Sequence, residues 1–284
     1  MITVLESIKL SKDYLAGKGI ESPRTNAELL LADIIGCKRL DLYLLFDRPL
    51  SEIELQHYRE YIKRRGNFEP LQYILGKVEF YGLELKVTQS VLIPRPEAEL
   101  LVENIINQFS KKKEVRILDV GCGSGNISIA LAVNLVTANL ITTDISQEAL
   151  HLAKENSEKH SVSDRIKFIN HNIMKNDLYN FPMFDIVVSN PPYVSKESFS
   201  SLQREIKDFE PRNAVTDEND GYTFYKAIAE KASTKLLAKG KLFFEIAQGQ
   251  SDEVRKIMEQ NHFIDIIVIK DYQNIERIVY GKLK

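Results

Sequence analysis

Asp119-Val120-Gly121-Cys122-Gly123-Ser124-Gly125 is a glycine-rich segment that begins at the end of an apolar, β-rich run at 115–120 and leads into a helical run at 127–133. Glycines at such a junction let the backbone turn tightly and approach a ligand, and the start of the helix offers free amide groups. The G-x-G-x-G spacing differs from the G-x-G-x-x-G pattern that seats a dinucleotide pyrophosphate. The segment therefore predicts a cradle for a nucleoside without phosphates, although an ordinary β-α turn can carry the same pattern.

β-rich apolar runs alternate with helical stretches from residue 115 to the end of the chain. The runs lie at 115–120, 140–143, 166–169, 184–188, 241–246, 264–269 and 275–280. Such alternation is typical of βαβ units, in which helices cover both faces of a mostly parallel sheet. The loop between the last two runs is too short for a crossover helix, so these two strands are expected to pair antiparallel. The pattern predicts a Rossmann-like α/β fold with a seven-stranded sheet.

The first part of the chain is predicted to be a small helical domain. Apolar side chains at 24–35 recur at the three-and-four spacing of a helix, and Gly36 follows where a C-cap glycine belongs. Ser51 and Glu54 form a capping box at the start of another helix, which ends in Lys63-Arg64-Arg65. This basic end is either a solvated helix terminus or a surface for a partner. β-rich residues around two glycines then predict a hairpin, which divides the chain into 1–74, a hairpin linker at 75–88, and 89–284.

Composition places the chain among ordinary globular proteins and excludes several classes. Its 284 residues are 44% hydrophobic and 27% charged, with a formal net charge of −2. No run approaches a membrane span, and Glu6 and Lys9 interrupt any N-terminal signal sequence, so a cytoplasmic protein without a membrane partner is expected. The near-neutral charge argues against nucleic acid as a partner. Neither the two cysteines nor the five histidines have metal-ligand spacing, so no metal site is expected.

Three further residues follow predicted strands at the same edge of the sheet. Asp144 ends the second strand, where a carboxylate in nucleoside-binding folds accepts the ribose hydroxyls, although it can equally help to cap the next helix. Asn172 and Ile173 follow the third strand, where a polar group can read an adenine edge and an apolar group can pack on its face. Taken alone, these two would be ordinary loop residues. Together with the glycine-rich segment, they extend the predicted nucleoside site.

The fourth strand ends in Ser189-Asn190-Pro191-Pro192-Tyr193. Two prolines cannot continue a strand ladder, and they stiffen the loop so that the Asn190 amide and the Pro191 carbonyl have fixed directions beside the Tyr193 ring. This arrangement suits a planar amide or amino group. A simple strand terminator with a surface tyrosine is the alternative interpretation.

The chain resembles the class I S-adenosylmethionine-dependent methyltransferases in two stretches, Asp119 to Gly125 and Asn190 to Tyr193. Over its wider length it is similar to the HemK/PrmC family. The further matching stretches are Glu69-Pro70-Leu71-Gln72-Tyr73-Ile74-Leu75-Gly76, Leu92-Ile93-Pro94-Arg95-Pro96-Glu97-Ala98-Glu99, Phe209-Glu210-Pro211 and Asp220-Gly221. That family methylates the glutamine side-chain nitrogen in the Gly-Gly-Gln motif of peptide chain release factors. The resemblance implies a catalytic domain at 89–284 and a substrate-docking domain at 1–74, with Lys63, Arg64 and Arg65 as candidate docking residues.

The resemblance also assigns roles to individual residues. It implies that Asp119, Gly121, Cys122, Gly123, Ser124, Gly125 and Asp144 bind S-adenosylmethionine, with Asn172 and Ile173 beside its adenine. Asn190, Pro191, Pro192 and Tyr193 would grip the substrate glutamine, and Asn190 would also lie against the methyl donor. The chain departs from the family at Ala98, often Thr, at Asn172, often Asp, and at Ile173, usually aromatic.

Other substrates share parts of this pattern. A sister enzyme that methylates a glutamine of a ribosomal protein typically has Pro-Arg-Ser-Pro where this chain has Pro94-Arg95-Pro96-Glu97. The Asn-Pro-Pro-Tyr motif is also found in adenine-N6 DNA methyltransferases, which flip the base into the same pocket. A nucleotide-binding assembly factor without enzymatic activity is a further alternative, but the Asn-Pro-Pro-Tyr motif would then have no function. The sequence favours a release factor as the substrate.

Overall fold

The computed structural model describes residues 2–284, which form two compact units. The first unit contains residues up to 77 together with 203–209, and the second contains 78–202 and 210–284. The division predicted from sequence placed 203–209 within 89–284. The structure groups this short segment with the N-terminal helices instead.

The first unit is helical, as the sequence predicts. Its α-helices are α1 (Val4–Gly17), α2 (Pro23–Ile35), α3 (Glu52–Gly66), α4 (Leu71–Leu75) and α9 (Arg204–Phe209), with a 3-10 helix at Arg39–Leu44. The capping box is confirmed, because Ser51 Oγ accepts the Glu54 amide and the Glu54 carboxylate accepts the Ser51 amide. Gly36 ends α2 in the left-handed conformation. Apolar side chains of α1, α2 and α3 enclose a single core.

The basic end of α3 is not a solvated cluster. Arg65 is 4% exposed, and its guanidinium donates to Asn26 Oδ1 at 2.6 Å, to the Glu69 carbonyl at 3.1 Å and to Glu205 Oε1 at 2.5 Å. Arg64 donates twice to the Glu69 carboxylate. A buried guanidinium needs such partners to offset its lost hydration. The prediction that Arg65 belongs to an exposed docking surface is therefore wrong, and Lys63 is the exposed member of the three.

The second unit has α/β architecture. Its helices are α5 (Glu97–Phe109), α6 (Asn126–Asn134), α7 (Gln147–Lys159), α8 (Lys196–Phe199), α10 (Arg212–Val215), α11 (Thr223–Ser233) and α12 (Ser251–Gln260), with a 3-10 helix at Ser163–Arg165. Its large sheet contains β3 (Val115–Val120), β4 (Ala138–Asp144), β5 (Ile166–Asn170), β6 (Phe184–Ser189), β7 (Leu236–Glu245), β8 (Phe263–Lys270) and β9 (Glu276–Leu283). The hairpin expected near residue 80 is formed by β1 (Lys77–Phe80) and β2 (Leu83–Lys86).

The seven-stranded sheet has the order β5-β4-β3-β6-β7-β9-β8. The five strands β3 to β7 are parallel, whereas β9 runs antiparallel to both β7 and β8. The mostly parallel sheet and the antiparallel last pair are thus confirmed. Successive residues of β3 point to opposite faces, so Ile117 packs in the core with Ile105 and Ile129 while Leu118 packs in the core with Ile228. Helices cover both faces.

The strand order places a crevice at one edge of the sheet. The chain proceeds from β3 outward through β4 to β5, then returns to the other side of β3 with β6. At such a reversal the connections after neighbouring strands diverge to opposite faces and leave a crevice at the carboxyl ends of the strands. No helix within residues 2–284 combines the length and the apolar character needed to cross a bilayer.

Candidate active site

A cavity of about 240 Å³ lies at the carboxyl edge of the parallel strands in the second unit. Most of the predicted site residues line it, although they are widely separated in sequence. Those that line it are Gly121, Cys122, Gly123, Asp144, Asn172, Ile173, Asn190, Pro191 and Pro192. Asp119, Ser124, Gly125 and Tyr193 are not part of the lining. Within residues 2–284, no group of His, Cys, Asp or Glu side chains is placed to hold a metal ion.

The glycine-rich segment forms a tight turn from β3 into α6. Gly125 has a φ of +82°, and a Cβ at this position would lie 3.0 Å from both Ala153 Cβ and Ile129 Cδ1. Glycine is therefore required both by the backbone conformation and by the contact of the turn with α7. Asn156 of α7 also holds the turn, since its Nδ2 donates to the Ser124 carbonyl at 2.9 Å. Gly125 and Ser124 shape the cradle from beneath.

Asp119 is fully buried below this turn. Its Oδ2 accepts hydrogen bonds from Ser128 Oγ at 2.6 Å and Thr142 Oγ1 at 3.5 Å, whereas Oδ1 has no partner within residues 2–284. Burial raises the pKa of Asp119 to about 6, with the two hydroxyl groups opposing the rise. The carboxyl group ties β3, β4 and α6 together beneath the cradle.

Asp144 accepts hydrogen bonds from two backbone amides. Its Oδ2 accepts the Gly123 amide at 2.9 Å, which fixes the glycine-rich turn, and its Oδ1 accepts the Ser146 amide at 2.9 Å. Ser146 itself caps α7, with its Oγ accepting the Ala149 amide. Burial raises the pKa of Asp144, while these backbone amides oppose the rise. The carboxylate therefore lies in the cavity wall, oriented by two amides.

The loop after β5 places Asn172 and Ile173 at the same cavity. Asn172 Oδ1 accepts the Met174 amide at 2.9 Å, which fixes the side chain in an Asx turn and leaves one lone pair of that oxygen for another donor. Ile173 is buried at 6% exposure and packs in the core below the cavity. Lys231 of α11 holds this loop from behind, since its ammonium group donates to the carbonyls of Ile173 and Asn176.

The loop after β6 is held by backbone and side-chain contacts on several sides. Ser189 Oγ donates to the Val120 carbonyl at 2.7 Å, and Gln250 Nε2 donates to the Tyr193 carbonyl at 3.0 Å. Gly221 lies directly against that carbonyl, because a Cβ at Gly221 would be 2.6 Å from the Tyr193 oxygen. Asn190 Oδ1 is buried and has no hydrogen-bond partner within residues 2–284. The loop therefore places at the cavity an acceptor that has no partner within the described residues.

Glu245 is a residue at this loop that the sequence analysis missed. It ends β7, is 2% exposed, and accepts a hydrogen bond from the Tyr193 hydroxyl at 3.5 Å. Burial, reinforced by Glu97, raises the pKa of Glu245 to about 8. A signal was available, because Glu245 is a single charged residue in the otherwise apolar run at 242–246 at the carboxyl end of a strand. Phe224 and Ile228 of α11 also line the cavity and give no comparable signal.

Two of the stretches that carry the family resemblance meet at the cavity. Arg95 lines it and forms an ion pair with Glu210, whose side chain is 2% exposed. Arg95 is the only Lys or Arg in the lining within residues 2–284. The cavity lining thus supplies one guanidinium, and a carboxylate already pairs with it.

Two family profiles match the chain. The profile described as "PrmC N-terminal domain" matches residues 6–76, and that described as "Methyltransferase small domain" matches residues 96–208. Together they cover much of both units.

Curated proteins similar over nearly the whole chain are named release factor glutamine methyltransferase. The protein from Fusobacterium nucleatum is 37% identical over 279 residues, which cover 98% of this chain and 78% of the relative. The protein from Chlorobaculum tepidum is 38% identical over 283 residues, which cover 97% of this chain and 95% of the relative. A solved methyltransferase from Pyrococcus furiosus has a TM-score of 0.53 at 14% identity, over 71% of this chain and 89% of that one. This last likeness is one of fold.

Proposed function

The chain belongs to the release factor glutamine methyltransferase family, and from that premise and the geometry of the cavity we propose that it methylates the glutamine of the Gly-Gly-Gln motif in a peptide chain release factor, with S-adenosylmethionine as the methyl donor. The observation that carries the proposal is the partner-free Asn190 Oδ1 in a loop held from several sides. Because release factors act in translation, the proposed reaction would take place in the cytoplasm.

The cavity wall fits the methyl donor. The glycine-rich turn and the first amides of α6 would face its amino acid moiety, Asp144 would accept the ribose hydroxyls, and Asn172 and Ile173 would contact the adenine. The G-x-G-x-G spacing of the turn agrees with a ligand that has no phosphates. When bound, S-adenosylmethionine supplies an electrophilic methyl group on a positively charged sulfur.

The protein's task is then to position a weak nucleophile. The lone pair of an amide nitrogen is delocalised into its carbonyl group, so direction matters more than a strong base. Asn190 Oδ1 and the Pro191 carbonyl would each accept one hydrogen of the glutamine amide and so fix the direction of its nitrogen. Tyr193 would support the loop from below. Holding reactants in a near-attack geometry can supply roughly 7 to 11 kcal/mol of a barrier.

The helical unit, together with the profile that matches it, supports a docking role for the release factor. Lys63 and Arg64 remain candidates for this surface, whereas Arg65 is buried. Pro94-Arg95-Pro96-Glu97 favours a release factor over a ribosomal protein, and the net charge of −2 offers little attraction for DNA.

Transfer of label from S-adenosylmethionine tests the substrate directly. The purified chain is offered four substrates: an intact release factor, the same factor with its Gly-Gly-Gln glutamine replaced by alanine, ribosomal protein, and duplex DNA. We expect label in the intact factor alone. Label in the glutamine-less factor, in ribosomal protein or in DNA would mean that the substrate has been assigned wrongly.

Replacement of Asp144 tests the donor site. Asp144→Ala removes the proposed acceptor of the ribose hydroxyls and also frees the Gly123 amide. Loss of a charge-assisted hydrogen bond costs about 1.5 to 3 kcal/mol, so we expect the Kd for S-adenosylmethionine to rise by roughly 10- to 100-fold in calorimetric titration. Asp164→Ala, in the 3-10 helix before β5, is the control and should leave the Kd unchanged. An unaltered Kd in Asp144→Ala would place the donor elsewhere.

A further inference from the structure

Glu245 is a buried carboxyl group that the proposed substrate contacts leave unused. It ends β7, and β7 pairs with β6 so that Phe244 lies beside Ser189. Glu245 and Asn190 are the next residues on the two strands, so they leave the sheet side by side. A carboxyl group that is 2% exposed is costly to bury. Because it lies next to the Asn190 loop, a role in positioning that loop would explain its burial.

Two side chains of the loop lie next to this carboxyl group. The Tyr193 hydroxyl donates to Glu245 Oε1. Hydrogen bonding by Asn190 also lowers the pKa of Glu245, against the effect of burial. A neighbour stabilises the ionised form of a carboxyl group by donating a hydrogen to it. Glu245 Oε2 is buried without a hydrogen-bond partner within residues 2–284, and Asn190 Nδ2 is a donor of the adjacent loop that can serve it.

The orientation of Asn190 decides whether it can bind a substrate amide. A half-turn of its side-chain amide exchanges an acceptor, Oδ1, for a donor, Nδ2. Only the oxygen can accept a hydrogen from the glutamine amide, while Nδ2 in its place would put two donors against each other. Asn190 Oδ1 has no partner of its own within residues 2–284, so some other contact has to fix the side chain.

We propose that Glu245 is a positioning residue whose carboxylate anchors Asn190 Nδ2 and the Tyr193 hydroxyl, so that Asn190 Oδ1 faces the substrate glutamine. This inference rests on the proposed function of the cavity. An ionised carboxyl group only accepts hydrogen bonds and so excludes the inverted orientation of Asn190. A protonated carboxyl group carries a donor of its own and permits the inversion.

The surroundings of the carboxyl group place its ionisation in an accessible pH range. The charged and titratable groups around Glu245 and Tyr193 come from several elements: Glu97, Arg277, Arg95 and Tyr225. Burial and Glu97 raise the pKa of Glu245 to about 8, and Arg277 opposes them. Arg277 is itself shared with Asp271 at 2.9 Å and Glu97 at 3.7 Å. The fraction of enzyme with a correctly fixed Asn190 should thus grow as pH rises through about 8.

Glu245→Gln tests this role, because glutamine has the same shape but can both donate and accept. Release factor methylation is measured between pH 6 and 9.5 for the full-length wild type and the variant. We expect wild-type kcat/KM to rise about tenfold over this range, and kcat of the variant at pH 9 to be lower by about tenfold or more without that rise. The KM for S-adenosylmethionine should change little. Glu230→Gln, on the exposed side of α11, is the matched control and should keep the wild-type profile.

Two further variants keep the test decisive if Glu245→Gln fails to fold. Glu245→Asp retains an ionisable acceptor and should preserve part of the pH-dependent rise. Tyr193→Phe removes a donor that stabilises the ionised form, so the rise should shift to higher pH. A purely structural role for Glu245 would leave the profile of every folded variant unchanged, and that result would overturn the inference. If the wild type itself leaves the release factor unmethylated, the proposed function fails instead.

Discussion

Asn190→Ala should lose roughly 100- to 1,000-fold in kcat for release factor methylation, the range typical of removing one preorganised hydrogen-bonding group from an active site. The loss follows from the geometry of the loop, because Asn190 Oδ1 is a buried acceptor without a partner in residues 2–284. Alanine leaves the glutamine amide free to rotate away from the attacking direction. Affinity for S-adenosylmethionine should fall much less, since Asp144 and the glycine-rich turn are untouched. Single-turnover transfer of label and a calorimetric Kd separate the two effects.

Asn107→Ala is the matched control for this variant. Asn107 is exposed on α5, so the same chemical change there should leave kcat at the wild-type value. Circular dichroism and thermal unfolding would establish that Asn190→Ala keeps its fold. A folded Asn190→Ala enzyme with wild-type kcat would refute the positioning mechanism.

Gly221→Ala should displace the loop that carries Asn190 and Tyr193. Gly221 has a φ of +86°, and a Cβ there would lie 2.6 Å from the Tyr193 carbonyl oxygen and 3.1 Å from Gln250 Nε2. The oxygen belongs to the backbone and cannot rotate away, so the loop bearing Asn190 has to move. We expect kcat to fall by about tenfold or more, because small displacements of a positioning group cost large factors in rate. We also expect the free energy of unfolding, measured in urea, to fall by more than the strain of a left-handed alanine alone would cause.

Gly249→Ala measures that strain separately. Gly249 has a φ of +83° in the same unit, but nothing lies within 4 Å of the position of its Cβ. Gly249→Ala should lower the free energy of unfolding only by the cost of a left-handed alanine, about 1 to 2 kcal/mol, and should leave kcat unchanged. If the two variants behave alike in both rate and stability, Gly221 is required for its backbone conformation and does not support the Tyr193 loop.

Regular patterns made much of the second unit predictable from sequence. The alternation of apolar runs with helices predicted the parallel sheet, and the brief loop before β9 predicted its antiparallel pairing. The residues of the cavity followed from the same reasoning, since parallel strands bring their carboxyl ends to one edge. Asp144 and Asn190 could be placed there because Asp144 ends one strand and Asn190 directly follows another.

Contacts between distant parts of the chain escaped the sequence analysis. The triple basic end of α3 looks solvated by its local pattern, yet Arg65 is buried against Asn26 and Glu205. No property of residues 63–65 indicates that a carboxylate 140 positions later will meet this guanidinium. Glu245 was missed for a related reason: an isolated acid in an apolar run marks an unusual residue, but only the strand register shows that it lies beside Asn190.

The helical unit is formed by two separate stretches of the chain, and this has a consequence for its synthesis on the ribosome. Chains emerge from the N-terminus, and domains generally fold as they appear. The helices up to residue 77 are available early, but the segment that completes their unit is 203–209. Until Glu205 emerges, the Arg65 guanidinium lacks its carboxylate, and an unpaired charge disfavours burial. The first unit to be translated is therefore completed only after most of the second has been made, which couples the maturation of the two.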